Sequence, residues 1–207
     1  MSVIIAFSGI DGSGKSTYIK YIKDSLEKKN ISVKAYNPMK SGRYNRSLKE
    51  GSNCKSNDDL YSNFDKSLIS ITYALDLVEF MNSIKELKTD VVLIHRHSLC
   101  CNTCAELFFK PPKLFKQILG LLEEPNLLVH LDVDVEIALE RIKSRGEKRS
   151  VKESKNNLNF CRERYKSSLE KKKGNYFFFN TNLDISYNKE KLILLESKIR
   201  DILKTNM

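Results

Sequence analysis

The run Gly9-Ile10-Asp11-Gly12-Ser13-Gly14-Lys15-Ser16-Thr17 fits the pattern G-x-x-x-x-G-K-[ST]. Glycines there let the backbone curl until its N–H groups point inward as an anion nest, and a helix starting at the end of the run adds its partial positive charge. Lys15 is a mobile cation able to follow β- and γ-phosphates during transfer. The Ser16 hydroxyl is a hard oxygen ligand for Mg2+, and Thr17 can donate to an α-phosphate. With Asp11, Gly12, Ser13 and Gly14, these residues make up the expected nucleotide cradle. The pattern implies a nucleoside triphosphate and Mg2+, without separating kinase, GTPase and motor ATPase. A guanine-reading Asn-Lys-x-Asp run is absent, which weighs against a GTPase.

A second cluster is His95-x-His97-x-x-Cys100-Cys101-x-x-Cys104. Zinc would favour two well-spaced ligand pairs, and Cys54 and Cys161 lie far off in sequence, so reduced thiols lining a pocket are the simpler reading. An odd count of five cysteines and a short N-terminal apolar run, Val3 to Phe7, with no basic stretch before it, point to a soluble cytoplasmic protein. No stretch approaches the ~18 apolar residues of a membrane span.

These groups need a frame. Short β-branched runs alternate with amphipathic stretches, the mark of an α/β protein with a parallel sheet. Strands are expected at Val3–Ser8, Ile31–Tyr36, Val91–His95, Leu127–Asp132 and Tyr176–Phe179, with the aromatics of the last in the core. The glycine run falls between the first strand and a helix over Lys15–Lys29, the context its chemistry requires. Pro38–Asp59 reads as a long surface loop. Helices are expected at Leu60–Leu87, Leu99–Phe109, Lys113–Leu122, Val135–Lys143, Leu158–Lys173 and Lys189–Leu203. Asp132 ends a strand and Asp134 is placed to cap the helix after it. The 207 residues read as one domain, 1–207, large enough to bury roughly 70% of the unfolded surface.

The glycine run resembles the opening of thymidylate kinases, a family of nucleoside-monophosphate kinases. Leu131-Asp132-Val133-Asp134-Val135-Glu136-Ile137-Ala138-Leu139-Glu140-Arg141, followed by Arg145-Gly146-Glu147, is similar to the family's fourth strand leading into its lid. Ile94-His95-Arg96-His97-Ser98 falls where the family carries Asp-Arg-Tyr or Asp-Arg-His. The resemblance implies a three-layer P-loop kinase fold, a five-stranded parallel sheet flanked by helices, with a short basic lid at about 144–157. It also implies a homodimer, and transfer of the ATP γ-phosphoryl to thymidine monophosphate with Mg2+. In one class of the family the loop supplies an arginine, and in the other the lid does. Ser13 in the loop, with Arg145, Lys148 and Arg149 beyond it, matches the lid class. Lys15, Arg96 and Arg149 then take the catalytic places, with Arg145 on the nucleotide and Arg141 on the helix surface or at a lid hinge.

The acceptor side departs from the pattern. His95 stands where the family has aspartate, and imidazole is a poor Mg2+ ligand. No arginine occurs between Arg46 and Arg96, where the family takes its acceptor-phosphate arginine, leaving Arg43, Arg46 or Lys66 to substitute. An Arg-Glu-Pro-Gly turn has become Tyr36-Asn37-Pro38-Met39, and polar nucleoside contacts fall near Cys100, Cys104 and Ala105. Two alternatives stand beside thymidylate: a different nucleotide or phosphorylated metabolite as acceptor, or a nucleic-acid-binding P-loop ATPase. The latter would draw on the net charge of +10, from 36 Lys+Arg against 26 Asp+Glu. No helix-turn-helix or RNA-recognition signature accompanies that charge.

Overall fold

Five short apolar runs pair into one fully parallel sheet, in the order β2-β3-β1-β4-β5. They are β1 (Val3–Ser8), β2 (Val33–Tyr36), β3 (Val91–His95), β4 (Leu127–Asp132) and β5 (Tyr176–Asn180). The computed structural model describes residues 2–38, 42–55, 57–108, 111–146, 150–172 and 176–206. β1 lies at the centre, with Phe7 opposite His95 of β3 and Ser8 opposite His130 of β4. Burial on both faces explains why β1, β3 and β4 are continuous apolar runs rather than alternating ones.

One face is covered by α1 (Lys15–Glu27) and α9 (Lys189–Thr205), whose Ile19, Ile22, Leu195 and Ile199 pack on Ile5, Leu93 and Val129. The other carries α4 (Lys66–Ser83), α5 (Ser98–Phe108), α6 (Lys113–Leu119) and α8 (Lys155–Lys171), with Leu77, Cys101, Phe115 and Leu169 against Ala6, Val92 and Leu128. A third cluster joins α7 (Val135–Ser144) and α8 beneath the glycine run, through Ile10, Val133, Ala138 and Tyr165. The three-layer α/β arrangement is the one expected.

Five expectations are corrected. Pro38–Asp59 is not a loop throughout, because it contains α2 (Arg43–Gly51) and the start of α3 (Asn57–Asn63). The Asp76 carboxylate of α4 takes the first free N–H groups of α2, from Tyr44 at 2.7 Å and Asn45 at 3.1 Å, so a distant side chain starts this helix. The helix expected over Leu60–Leu87 is broken at Asp65, whose side chain accepts from the Ser67 and Leu68 N–H groups and caps α4. α8 starts at Lys155, three residues early, under a Ser154 cap. Asp134 makes no side-chain cap; its carboxylate instead meets Asn182 and Arg162, each at 2.7 Å. In β5 only Phe179 is fully buried, while Tyr176 and Phe178 are exposed because β5 is an edge strand.

Candidate active site

The glycine run leaves the carboxyl end of β1 between β3 and β4, the place where open parallel sheets bind ligands. Gly14 has φ 86° and ψ 10° at the N-cap of α1, a left-handed conformation that lets the backbone turn into the helix. Gly12, at φ 85°, lies so close to α7 that an added Cβ would stand 2.6 Å from the Ala138 carbonyl oxygen. The cradle is therefore fixed against α7 as well as β1.

Lys15 is buried, and its ammonium donates to the carbonyls of Gly9 (2.9 Å) and Ile10 (2.6 Å) and to the Ser13 hydroxyl (3.3 Å). Burial pulls its pKa from 10.5 down to about 8, and the Arg96 charge pushes the same way against the pull of Asp11. The cation is thus held by loop dipoles that a bound phosphate would replace. Ser16 and Thr17 are exposed at the first turn of α1. The nearby carboxylates are engaged, Asp11 by Arg96 and Asp132 by Arg162. The residues fit Mg2+ as a site of one hydroxyl plus phosphate and water oxygens, which suits an ion that keeps most of its water.

Arg96 follows β3 with φ 70°, a conformation that a bulky side chain adopts only when its surroundings enforce it. Its N–H donates to the Phe7 carbonyl at 2.9 Å, and its guanidinium is paired with Asp11. Burial alone would raise the Asp11 pKa. The charges of Arg96, Lys15, Lys152 and Arg145 outweigh it and bring Asp11 down to about 2. Loop and β3 end are therefore joined by a fixed ion pair. His95 ends β3 half-buried beside them.

Beyond Arg96 opens a pocket of about 90 Å³, lined on α5 by Cys100, Cys101, Cys104 and Phe108, and elsewhere by Tyr61, Tyr73 and Lys152. The cysteines are free thiols, and Cys100, Cys101 and Cys104 line this pocket as anticipated. Burial pushes the Cys161 thiol, in the adjoining cleft, up to about 12. The substitutes considered for the acceptor cation are not here. Arg43 is exposed and pairs with Glu79 at 3.3 Å, and Arg46 and Lys66 are exposed on α2 and α4.

Of the cations expected on a lid, Arg145 is exposed at the end of α7, and its charge reaches both Asp11 and Lys15. Lys148 and Arg149 lie outside the described residues. Arg141, on α7, is half-buried and donates to the Thr181 (2.7 Å), Asn182 (3.3 Å), Leu183 (3.4 Å) and Gly12 (3.5 Å) carbonyls, tying the loop after β5 to the cradle. Sequence reasoning missed Arg162 and Lys152. Arg162 grips Asp132 through two hydrogen bonds, at 2.7 and 2.8 Å, and bridges to Asp134. The pair of aspartates at a strand end was the signal that a cation was needed.

Glycine loop and thiol-lined pocket thus meet at Arg96, and with the sheet order this defines a protein of the P-loop kinase fold. A sequence model described as thymidylate kinase matches residues 7–192. The chain belongs to the thymidylate kinase family, and so is an ATP-dependent phosphotransferase of the nucleoside-monophosphate kinase type. It is similar to the probable thymidylate kinase of Methanococcus maripaludis (strain C7), with 31% identity over 148 residues, 70% of this chain and 67% of that one. Similarity to the thymidylate kinase of Akkermansia muciniphila is 29% over 170 residues, 77% and 75% of the two chains. The deoxyadenosine kinase of M. mycoides superposes with a TM-score of 0.68 at 16% identity, over 96% of this chain and all of the other, which agrees with the fold.

Proposed function

We propose that this chain transfers the γ-phosphoryl group of ATP to thymidine monophosphate, giving ADP and thymidine diphosphate. The observation that carries this reading is the Asp11–Arg96 pair, which sets one fixed guanidinium between the phosphate cradle and the thiol- and aromatic-lined pocket. The backbone of Gly12, Ser13 and Gly14 holds the donor phosphates, with Ser16 and Thr17 at their edge. Lys15 exchanges its loop carbonyls for β- and γ-oxygens, and Arg96 bridges donor and acceptor phosphates. Arg145 and Arg149 close from the lid, about 144–157, neutralising charge on the transferring group and excluding water. When bound at Ser16, Mg2+ supplies charge neutralisation to the β- and γ-phosphates. Five free thiols suit a reducing cytoplasm, and we propose that the chain works there as one domain, in a homodimer.

Steady-state kinetics across nucleoside monophosphates with ATP and Mg2+ test this. Thymidine monophosphate should give the highest kcat/KM, within the range of about 10⁴–10⁸ M⁻¹s⁻¹ usual for enzymes. A better acceptor of another kind would point to the rebuilt pocket as a change of substrate. No transfer to any monophosphate would overturn the reading.

A further inference from the structure

The family's acceptor arginine is missing, and none of Arg43, Arg46 and Lys66 lines the pocket. Among the described residues the cations that do are Arg96 and Lys152. Arg96 is held by Asp11 between cradle and pocket, which leaves a second cation for the acceptor side to Lys152. Lys152 sits in a 3-10 turn, Val151–Glu153, immediately before α8. The turn is pinned by the Glu153 carboxylate accepting from the Ser150 N–H at 2.9 Å, and by the Asn157 amide donating to the Val151 carbonyl at 2.7 Å. From this anchored backbone the side chain runs into the pocket. Its ammonium stands 5.8 Å from the ring centres of Tyr61 and Tyr73 and 5.9 Å from that of Phe108, residues of α3, α4 and α5. Among the described residues no carboxylate pairs with it.

We propose that Lys152 is a second cation, beside Arg96, for the acceptor's phosphate, and that the acceptor's base takes the place of its ammonium among the three aromatic rings. The inference rests on the reading of the site as a nucleoside-monophosphate kinase. A ring cage holds an ammonium weakly, whereas a phosphate offers it charge-assisted hydrogen bonds, so the exchange runs toward substrate. Reach is provided by the position itself, because Lys152 also lines the cleft shared by Asp11 and Arg96, where donor and acceptor phosphates must meet. A lysine on four rotatable carbons can swing between the two places, which a planar guanidinium fixed by a fork of hydrogen bonds could not do as freely. Arrival of the base then delivers the charge to the phosphate.

The test is calorimetric binding of thymidine monophosphate and of thymidine to the full chain, as wild type, Lys152→Met and Lys152→Arg, alongside steady-state kinetics. Lys152→Met should weaken the monophosphate about 10- to 100-fold, the effect of losing a charged hydrogen bond, and raise its KM by a similar factor. Thymidine, which lacks the phosphate, should bind the variant about as tightly as wild type, because the substitution removes a charge that thymidine does not use. The KM for ATP should not move, and Lys152→Arg should recover part of the loss. Equal losses for both ligands would make Lys152 a packing residue and overturn the proposal. So would monophosphate affinity within about threefold of wild type. Wild-type enzyme that transfers phosphoryl to no monophosphate would instead overturn the kinase reading, and is seen before any variant is compared.

Discussion

Replacing Lys15 by methionine should abolish transfer and make the unliganded protein more stable. The ammonium is buried under the loop, and burial is the largest cause of a pKa of about 8 instead of 10.5. At about 1.4 kcal/mol for each pH unit, holding this charge in the folded state costs about 3 kcal/mol at pH 7. Methionine fills similar volume without charge but loses the contacts to Gly9, Ile10 and Ser13, worth about 1 kcal/mol or more. A net gain of at most about 2 kcal/mol is left. The sign with pH follows from proton counts. Between about 8 and 10.5 the unfolded lysine keeps its proton while the folded one has lost it, so wild-type stability rises with pH in that window. From pH 7 to 9.5 the rise is about 2 kcal/mol, and Lys15→Met lacks it. Urea unfolding of both proteins at the two pH values, with transfer assayed in parallel, reads all of this. Transfer should fall by at least ~10³. A variant less stable than wild type at pH 7, or a gap between the two that stays constant to pH 9.5, would refute the burial argument.

Arg162→Ala leaves the Asp132 carboxylate buried without its partner, and should cost about 3 kcal/mol in denaturant unfolding; a loss under about 1 kcal/mol would mean the pair is solvated. Gly12→Ala places a Cβ 2.6 Å from the Ala138 carbonyl at φ 85°, so the melting temperature should drop by several degrees and nucleotide binding should weaken. An unchanged melting curve would contradict the close approach of cradle and α7. Binding to short duplex DNA at physiological salt should be no tighter than about 10⁻⁴–10⁻⁶ M and should weaken steeply with salt. Sequence-selective nanomolar binding would favour the nucleic-acid ATPase.

The glycine run and the strand and helix around it were legible because they depend on local backbone. Gly12, Gly14, Lys15 and Ser16 are neighbours in the chain, and the strand and helix around them follow from short-range periodicity. What escaped depends on partners far away in sequence. α2 buries only Asn45 and has no capping side chain of its own; its start is fixed by Asp76, which lies 32 residues beyond Tyr44. Arg96 was singled out by pattern, but its pairing with Asp11, across 85 residues, needs the β1–β3 register that sets Phe7 beside His95. Val151-Lys152-Glu153 reads as part of a polar basic lid, and acquires meaning only where Tyr61, Tyr73 and Phe108 converge from three helices.

The same distinction explains where the sequence keeps the family pattern and where it leaves it. A phosphate cradle is built from φ angles and close approaches, so a changed residue there meets strain at once, as at Gly12 against Ala138. An acceptor-phosphate contact asks only that a positive charge reach one point, and a long side chain can deliver it from any element within about a side chain's length. Losing an arginine before β3 is therefore tolerable if another element faces the pocket with a free cation. The turn before α8 does so. Lys152 stands on a pinned turn and already lines both the pocket and the cleft of Asp11 and Arg96, so a rotation of its side chain alone is enough to carry the charge from the rings to a phosphate.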